Sequence, residues 1–408
     1  MRDLSVRFAR RGHSVRVWTT NAAEGEYFWD RRKMHVAPGS ERIDGVDVQR
    51  FAVRHLPFHW KAARLLALCL PGALKAYFDP PSPLVPGLWR PRLERDVVPD
   101  IIHAASFPLD SLLWPAFRAA ERRGIPFLLT PLIHFGRGDA DNAEVKRFFG
   151  RAHQAEMLRG SAAIFVLSPA EADYAIAHGA APERTVVLPL GIDPEGLSGG
   201  DAGRFCQKHG IDGPIVLHIA TKAVAKGSAT VVEAMKRLWA DGDLACLVML
   251  GPSMPCFRDY LAGQGDLPGD RFFDLGFVSE AQKRDALAAA TLMAMPSRAD
   301  AFGLVYLEAW FYGKPVIGAR AGGVQELIED GVDGRLVEFD DAGELAESIK
   351  ELIRDPALSG KLGQAGREKV LTCYTQEHEF AVVEGVYDAV VSGRWPEAGG
   401  QLSVAGGQ

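Results

Sequence analysis

The chain has 408 residues, of which 47% are hydrophobic and 24% charged, and carries a formal net charge of −6. That length suits two domains with separate cores; the composition is that of a globular chain, and the acidic balance gives no reason to expect nucleic acid as a partner. Five scattered cysteines without CxxC spacing, no signal peptide and no run of about 18 apolar residues predict reduced thiols, no zinc site and no membrane span.

Residues 1–11 read as a helix with Leu4 and Phe8 on one face, and Gly12-His13 leads into a strand over Val15-Arg16-Val17-Trp18. Further strands are expected at Gly45-Val46-Asp47-Val48, Val98-Pro99-Asp100-Ile101-Ile102-His103, Ile125-Pro126-Phe127-Leu128-Leu129-Thr130 and Ala163-Ile164-Phe165-Val166-Leu167-Ser168. Helix-like segments fall between them, and strands alternating with helices predict a parallel sheet. Residues 55–92 stand apart: an apolar stretch with basic residues from Trp60 to Leu70, then a proline-rich tract from Pro80 to Pro91. The plainer reading is a helix packed on the sheet; the alternative is a surface helix dipping into the cytoplasmic leaflet. Residues 1–190 hold 26 Lys and Arg against 20 Asp and Glu, whereas the remainder holds 20 against 32. A basic first half fits an anionic acceptor or lipid headgroups, and an incidental excess fits equally.

A second alternating set follows, with strands at Ile215-Val216-Leu217-His218-Ile219, Cys246-Leu247-Val248-Met249-Leu250-Gly251, Phe272-Phe273-Asp274-Leu275-Gly276 and Leu292-Met293-Ala294-Met295. Helices are expected to start near Ala342 and at Pro356, and a long one to run over residues 375–391. The last dozen residues, rich in Gly, Ala, Ser and Gln, predict disorder.

The densest chemistry lies in Pro296-Ser297-Arg298-Ala299-Asp300-Ala301-Phe302-Gly303-Leu304-Val305-Tyr306-Leu307-Glu308-Ala309. Two acids eight positions apart flank a helix start between a buried strand and the helix stop Gly313-Lys314-Pro315. Unpaired N–H groups at a helix start attract phosphate. With residues 301–308 helical, Glu308 falls about 10 Å along the axis from Asp300. That suits a sugar and a ribose joined by a diphosphate: sugar at Asp300, phosphates over the amides of Phe302, Gly303, Leu304 and Val305, ribose on Glu308.

This stretch resembles the E-x7-E motif of retaining glycosyltransferases of family 4, the "group 1" transferases. The continuation Gly313-Lys314-Pro315-Val316-Ile317-Gly318, Gly322-Gly323-Val324-Gln325-Glu326-Leu327-Ile328 and Gly331-Val332-Asp333-Gly334 follows the same wording. The resemblance runs from about Leu4 to Tyr387. It implies an α/β chain of GT-B fold, two Rossmann-like domains with a cleft between them. On that pattern residues 1–190 form the acceptor-side domain and 191–374 the nucleotide-sugar domain. The boundary is Thr185-Val186-Val187-Leu188-Pro189-Leu190-Gly191-Ile192-Asp193; residues 375–393 form a helix crossing back to the first domain, and 394–408 a disordered tail. Relatives normally place one more strand and a glycine-rich loop before the first helix. Its absence here implies a late start codon, a truncation or an impaired protein.

The implied activity is transfer of a sugar from a nucleotide-diphosphate sugar to a glycan, lipid-linked or small-molecule acceptor, with retention, of the kind used for cell-envelope polysaccharides. The second hypothesis is an impaired relative acting as a binding or partner subunit. Lys226-Gly227 matches the family's "KG" element, where a lysine meets the departing diphosphate as its charge grows. The arginine that relatives place five residues earlier is Thr221 here, with Lys222 beside it as a substitute that lacks a guanidinium's two-pronged grip. Gly276-Phe277-Val278-Ser279 resembles the base-reading loop, which puts Phe277 and Val278 at the donor. His134, after Thr130-Pro131-Leu132-Ile133, is the first-domain candidate, so the implied catalytic set is His134, Lys226 and Asp300. Asp300 stands where the family has Glu and is one methylene shorter. No cofactor and no metal is expected, only the nucleotide sugar as donor substrate. A cytoplasmic protein is expected, with possible peripheral contact at the inner face of the membrane.

Overall fold

The structure is a computed structural model and describes residues 2–55, 83–89, 98–133, 148–298, 300 and 302–395. His134, the apolar stretch from Trp60, both ends of the proline-rich tract and the last dozen residues therefore lie outside the described residues.

The N-terminal half holds two sheets. β1 (Arg16–Thr20), β2 (Gly39–Ile43) and β3 (Val46–Phe51) form the first, in the order β1-β3-β2, with β1 and β3 parallel. β2 returns antiparallel on β3. It was not legible in the sequence because its residues are exposed and polar and it pairs through the backbone alone. β4 (Ile102–Ala105), β5 (Phe127–Thr130), β6 (Ala163–Val166) and β7 (Thr185–Val187) form the second sheet, parallel and in chain order. Among the described residues the outer edges of β1 and β4 have no strand partner, where the sequence predicted one sheet.

The C-terminal half has one continuous sheet. β8 (Ile215–Ile219), β9 (Cys246–Leu250), β10 (Phe272–Gly276), β11 (Leu292–Ala294), β12 (Val316–Ala319) and β13 (Gly334–Val337) run parallel in the order β10-β9-β8-β11-β12-β13. β8 and β9 are buried throughout, as befits strands covered by helices on both faces. The order steps outward from β8 to β10, then resumes on the other side at β11. Ligands of such sheets sit beyond the carboxyl ends of the strands at that reversal. The segments leaving β8 and β11 carry Lys226 and Asp300.

The terminal helix Gln376–Ser392, capped by Thr375, packs on the first half. Its Phe380, Val383 and Val386 are buried with Phe8, Leu128, Phe165 and Val186. Phe8 stacks on Tyr387 at 4.9 Å between ring centroids. The ion pairs Arg7–Glu377 and Arg11–Glu384, each 2.5 Å, lie at the rim; aromatic burial outweighs such exposed pairs. The halves also meet where Leu132 and Leu167 pack on the core of the second and the Ala170 N–H donates to Glu326.

Candidate active site at the carboxyl ends of the second sheet

Asp300 sits on a turn into a helix, and Glu308 lies within that helix. That helix runs Leu304–Phe311, three residues later than the sequence suggested. The reason is Gly303, whose φ of +86° is outside helical geometry and whose missing side chain makes room for the Tyr306 ring, 2.6 Å from where a Cβ would stand. Tyr306 is buried beneath and donates its hydroxyl to the Met295 carbonyl, fixing the helix start on β11. Asp300 is held from the other side, its carbonyl accepting from the Gly323 N–H at 3.2 Å.

The segment after β8 docks on the same place. Gly227 has φ +66° and its Cα lies against the Pro296 carbonyl, so the glycine of the Lys226-Gly227 pair is required by close approach. The Arg298 N–H and the Ser297 hydroxyl both donate to the Ala225 carbonyl, at 3.0 and 3.2 Å. Lys226 and Asp300 are thereby brought together, Nζ to Oδ1 at 2.5 Å.

Both acids share one pattern. In Asp300, Oδ1 accepts from Lys226 while Oδ2 is buried without a partner among the described residues. In Glu308, Oε1 accepts from Lys283 at 2.9 Å while Oε2 is likewise buried and unpartnered. Burial raises the Glu308 pKa and the Lys283 ammonium opposes that rise. An unpaired buried acceptor costs about 1–3 kcal/mol, and each of the two acids carries one.

The other expected residues are distributed unevenly. Phe302 is buried against Tyr374 at 5.6 Å, so only its backbone faces the helix start. Leu304 is 40% exposed at that start and Val305 packs on the core. Phe277 is 87% exposed beyond β10, after Gly276 at φ +62°, and Val278 packs beneath it. Lys222 does not join the site as a free cation: it is fully buried and its Nζ is bound to Asp274. His134 lies outside the described residues, which stop just before it at Ile133. Leu132 takes φ +55°, and Glu171 accepts from the Ile133 and Leu167 N–H groups, both at 2.7 Å. Burial raises the Glu171 carboxyl to about 7 despite those bonds.

Sequence reasoning missed Lys283 and Glu171. The capping box of Ser279 and Gln282 was the one signal that fixes which way Lys283 points. Nothing in the sequence marks Glu171 as buried. His103 and His218 have ordinary structural partners: His103 contacts Thr130 and Tyr387, His218 contacts Ser228 and the Ala294 carbonyl, and burial lowers them to about 3 and about 4.

Residues 204–369 match the family model described as glycosyl transferases group 1, and residues 1–191 match the glycosyl transferase 4-like domain. Each half of the chain is thus similar to a glycosyltransferase domain. The chain is 34% identical to D-inositol 3-phosphate glycosyltransferase 1 of Catenulispora acidiphila, over 58% of itself and 60% of that relative. It is 32% identical to N-acetyl-alpha-D-glucosaminyl L-malate synthase of Bacillus anthracis, over 42% of itself and 45% of the relative. The chain thus spans about half the length of the curated relatives it matches. Its fold is similar to sucrose-phosphate synthase from Thermosynechococcus elongatus, with a TM-score of 0.67, 19% identity and coverage of 96% and 92% of the two chains. It is also similar to Anabaena HepE in complex with UDP and glucose, with a TM-score of 0.60, 20% identity and coverage of 84% and 86%. These likenesses give the fold, GT-B. Among the described residues, no helix is long and apolar enough to cross a membrane.

Proposed function

We propose that this protein transfers a sugar from a nucleotide-diphosphate sugar to a hydroxyl acceptor with retention of anomeric configuration. The observation that carries the reading is the pair of buried, unpartnered carboxylate oxygens, Asp300 Oδ2 and Glu308 Oε2, on either side of the helix start at Gly303. Sugar hydroxyls satisfy the first and ribose hydroxyls the second, with the diphosphate between them on the amides of Gly303, Leu304 and Val305. The named relatives act on glycosyl groups, and HepE holds UDP and glucose. That gives the donor class its support.

In this reading the bond between the anomeric carbon and the diphosphate oxygen breaks. The acceptor oxygen bonds to that carbon on the same face, and its proton passes to the departing phosphate. Lys226 faces the charge that grows on the leaving group, where a fixed ammonium is worth most. It is drawn from Asp300 toward the phosphate as the donor enters. The rest is orientation of the two substrates. Lys222, held by Asp274, contributes no phosphate contact, so Lys226 carries that task from this half. No divalent cation is required, and the acceptor is a glycan, a lipid-linked sugar or a small molecule received by the basic first half.

The test is incubation with UDP-, GDP- and ADP-sugars with and without EDTA, following nucleotide release and the product anomer by NMR. Release from one donor class with an unchanged anomer, insensitive to EDTA, is expected. No release from any donor, or an inverted product, contradicts the reading.

A further inference from the structure

Lys283 is absorbed by neither the phosphate site nor the base loop, yet it touches the acid at the ribose end. It lies on the helix Glu280–Ala289, whose rotation is fixed at both ends of its first turns. Ser279 and Gln282 close a capping box, with the Gln282 N–H donating to Ser279 Oγ at 3.3 Å and the Ser279 N–H to Gln282 Oε1 at 3.1 Å. Asp285 is buried and gripped by Arg204 through Nε at 2.6 Å and Nη2 at 2.5 Å. With the helix pinned, the Lys283 side chain, 18% exposed, reaches Glu308 Oε1 at 2.9 Å and Glu280 Oε2 at 2.9 Å.

We infer that Lys283 is a positioning residue for the donor site, anchoring one oxygen of Glu308 so that Oε2 is the lobe presented to the ribose. The inference rests on reading Glu308 as the ribose-binding acid. Its physical basis is the division of labour within one carboxylate. A free carboxylate in a buried pocket has two rotational choices and a tendency to take up a proton, because burial disfavours its charge. An ammonium on one oxygen removes both freedoms: it fixes the plane and supplies the countercharge. The groups facing Glu308 are consistent with this. Lys283 favours its ionised form, and Glu280, on the exposed side of the same helix, opposes it. Tyr312, one turn along, is a phenol whose proton is held more firmly because of burial, with Glu308 and Asp285 adding to that and Arg284 opposing it. Lys283 is therefore the cation that sets the charge on this acid. Its own ammonium keeps a raised pKa: burial lowers it, and Glu308 and Glu280 more than compensate.

The experiment compares wild type, Lys283→Met and Lys283→Arg by carbon NMR with labelled glutamate, taking the Glu308 signal from its loss in Glu308→Gln. The same proteins are then titrated calorimetrically with UDP over about pH 5 to pH 8, a window above the ordinary glutamate range. In Lys283→Met the Glu308 carboxyl should titrate at higher pH than in wild type. UDP affinity should then rise with pH by as much as about tenfold per pH unit, while Lys283→Arg keeps the wild-type profile. A Glu308 carboxyl that titrates identically in Lys283→Met and wild type overturns the inference. So does a loss of affinity that is equal at every pH in both variants, since that is the signature of a direct or purely structural contact. The NMR arm needs no nucleotide, so it decides the role of Lys283 even if wild type fails to bind UDP. That failure would instead strike the donor-site reading.

Discussion

The two halves of this chain put similar strand–helix alternation to different ends. In the second half six parallel strands form one sheet, and its two central loops bring a lysine and an acid to 2.5 Å. In the first half the strands fall into two sheets joined by packing: the helix Arg2–Arg10 lays Phe8 on the second sheet and the terminal helix seals it. The lesson is about which buried carboxylates are left unsatisfied. The second half keeps two orphaned carboxylate oxygens at the carboxyl ends of its strands. The first half uses its buried acids to hold backbone and side chains, Glu171 at Ile133 and Leu167, and Asp110 at Arg151, His153 and Gln154. One half leaves two carboxylate oxygens open at its strand ends; the other uses its buried acids as braces.

The contrast can be broken most severely at Lys226. Lys226→Ala should lower turnover by about 10²–10³-fold, the typical cost of one preorganised charge at a developing anion. It should leave acceptor binding nearly unchanged, and steady-state kinetics with both substrates varied would separate the two effects.

On the braced side, Glu171 makes stability depend on pH. Its folded pKa is raised from 4.5 to about 7, so its contribution is fully present below 4.5 and is lost as pH climbs through about 7. At about 1.4 kcal/mol per pH unit the loss is about 3 kcal/mol. Melting temperatures of wild type and Glu171→Gln across that range should show wild type losing ground as pH rises. A constant difference would mean that the carboxyl is ionised throughout.

Glu308→Gln sharpens the comparison from the donor side. It keeps the shape and removes the charge, and a hydrogen bond to a charged group contributes about 1.5–3 kcal/mol. UDP affinity by calorimetry should fall by about ten- to a hundredfold, and an unchanged affinity would remove Glu308 from the ribose. The smallest effect is expected at Phe277. It is 87% exposed, and loss of an aromatic face beneath a base costs about 1–3 kcal/mol where stacking occurs. So exposed a ring belongs at the low end of that range, about 1 kcal/mol, so Phe277→Ala should weaken UDP by about five- to tenfold without moving the melting temperature.

Much of this was legible in the chain. β8 matches its predicted span residue for residue, because a buried parallel strand is a near-continuous apolar run, broken here only by His218, whose ring bonds Ser228 and the Ala294 carbonyl. The acidic pair and the Lys226-Gly227 turn were visible as spacing. Two things were not. The helix after Asp300 begins at Leu304 because Gly303 takes a left-handed conformation that accommodates Tyr306, a tertiary contact no local pattern displays. Lys222 looked like a spare cation, but its partner Asp274 lies 52 positions away on β10. Lys283 was hidden for the same reason, its meaning depending on Glu308 across 25 residues.

The most direct measurement is a crystal structure of the protein with UDP. The diphosphate is expected on the peptide nitrogens of Gly303, Leu304 and Val305, with a ribose hydroxyl donating to Glu308 Oε2 and Lys226 turned from Asp300 toward the phosphate. UDP bound elsewhere, with both carboxylate oxygens still unpartnered, would contradict the account.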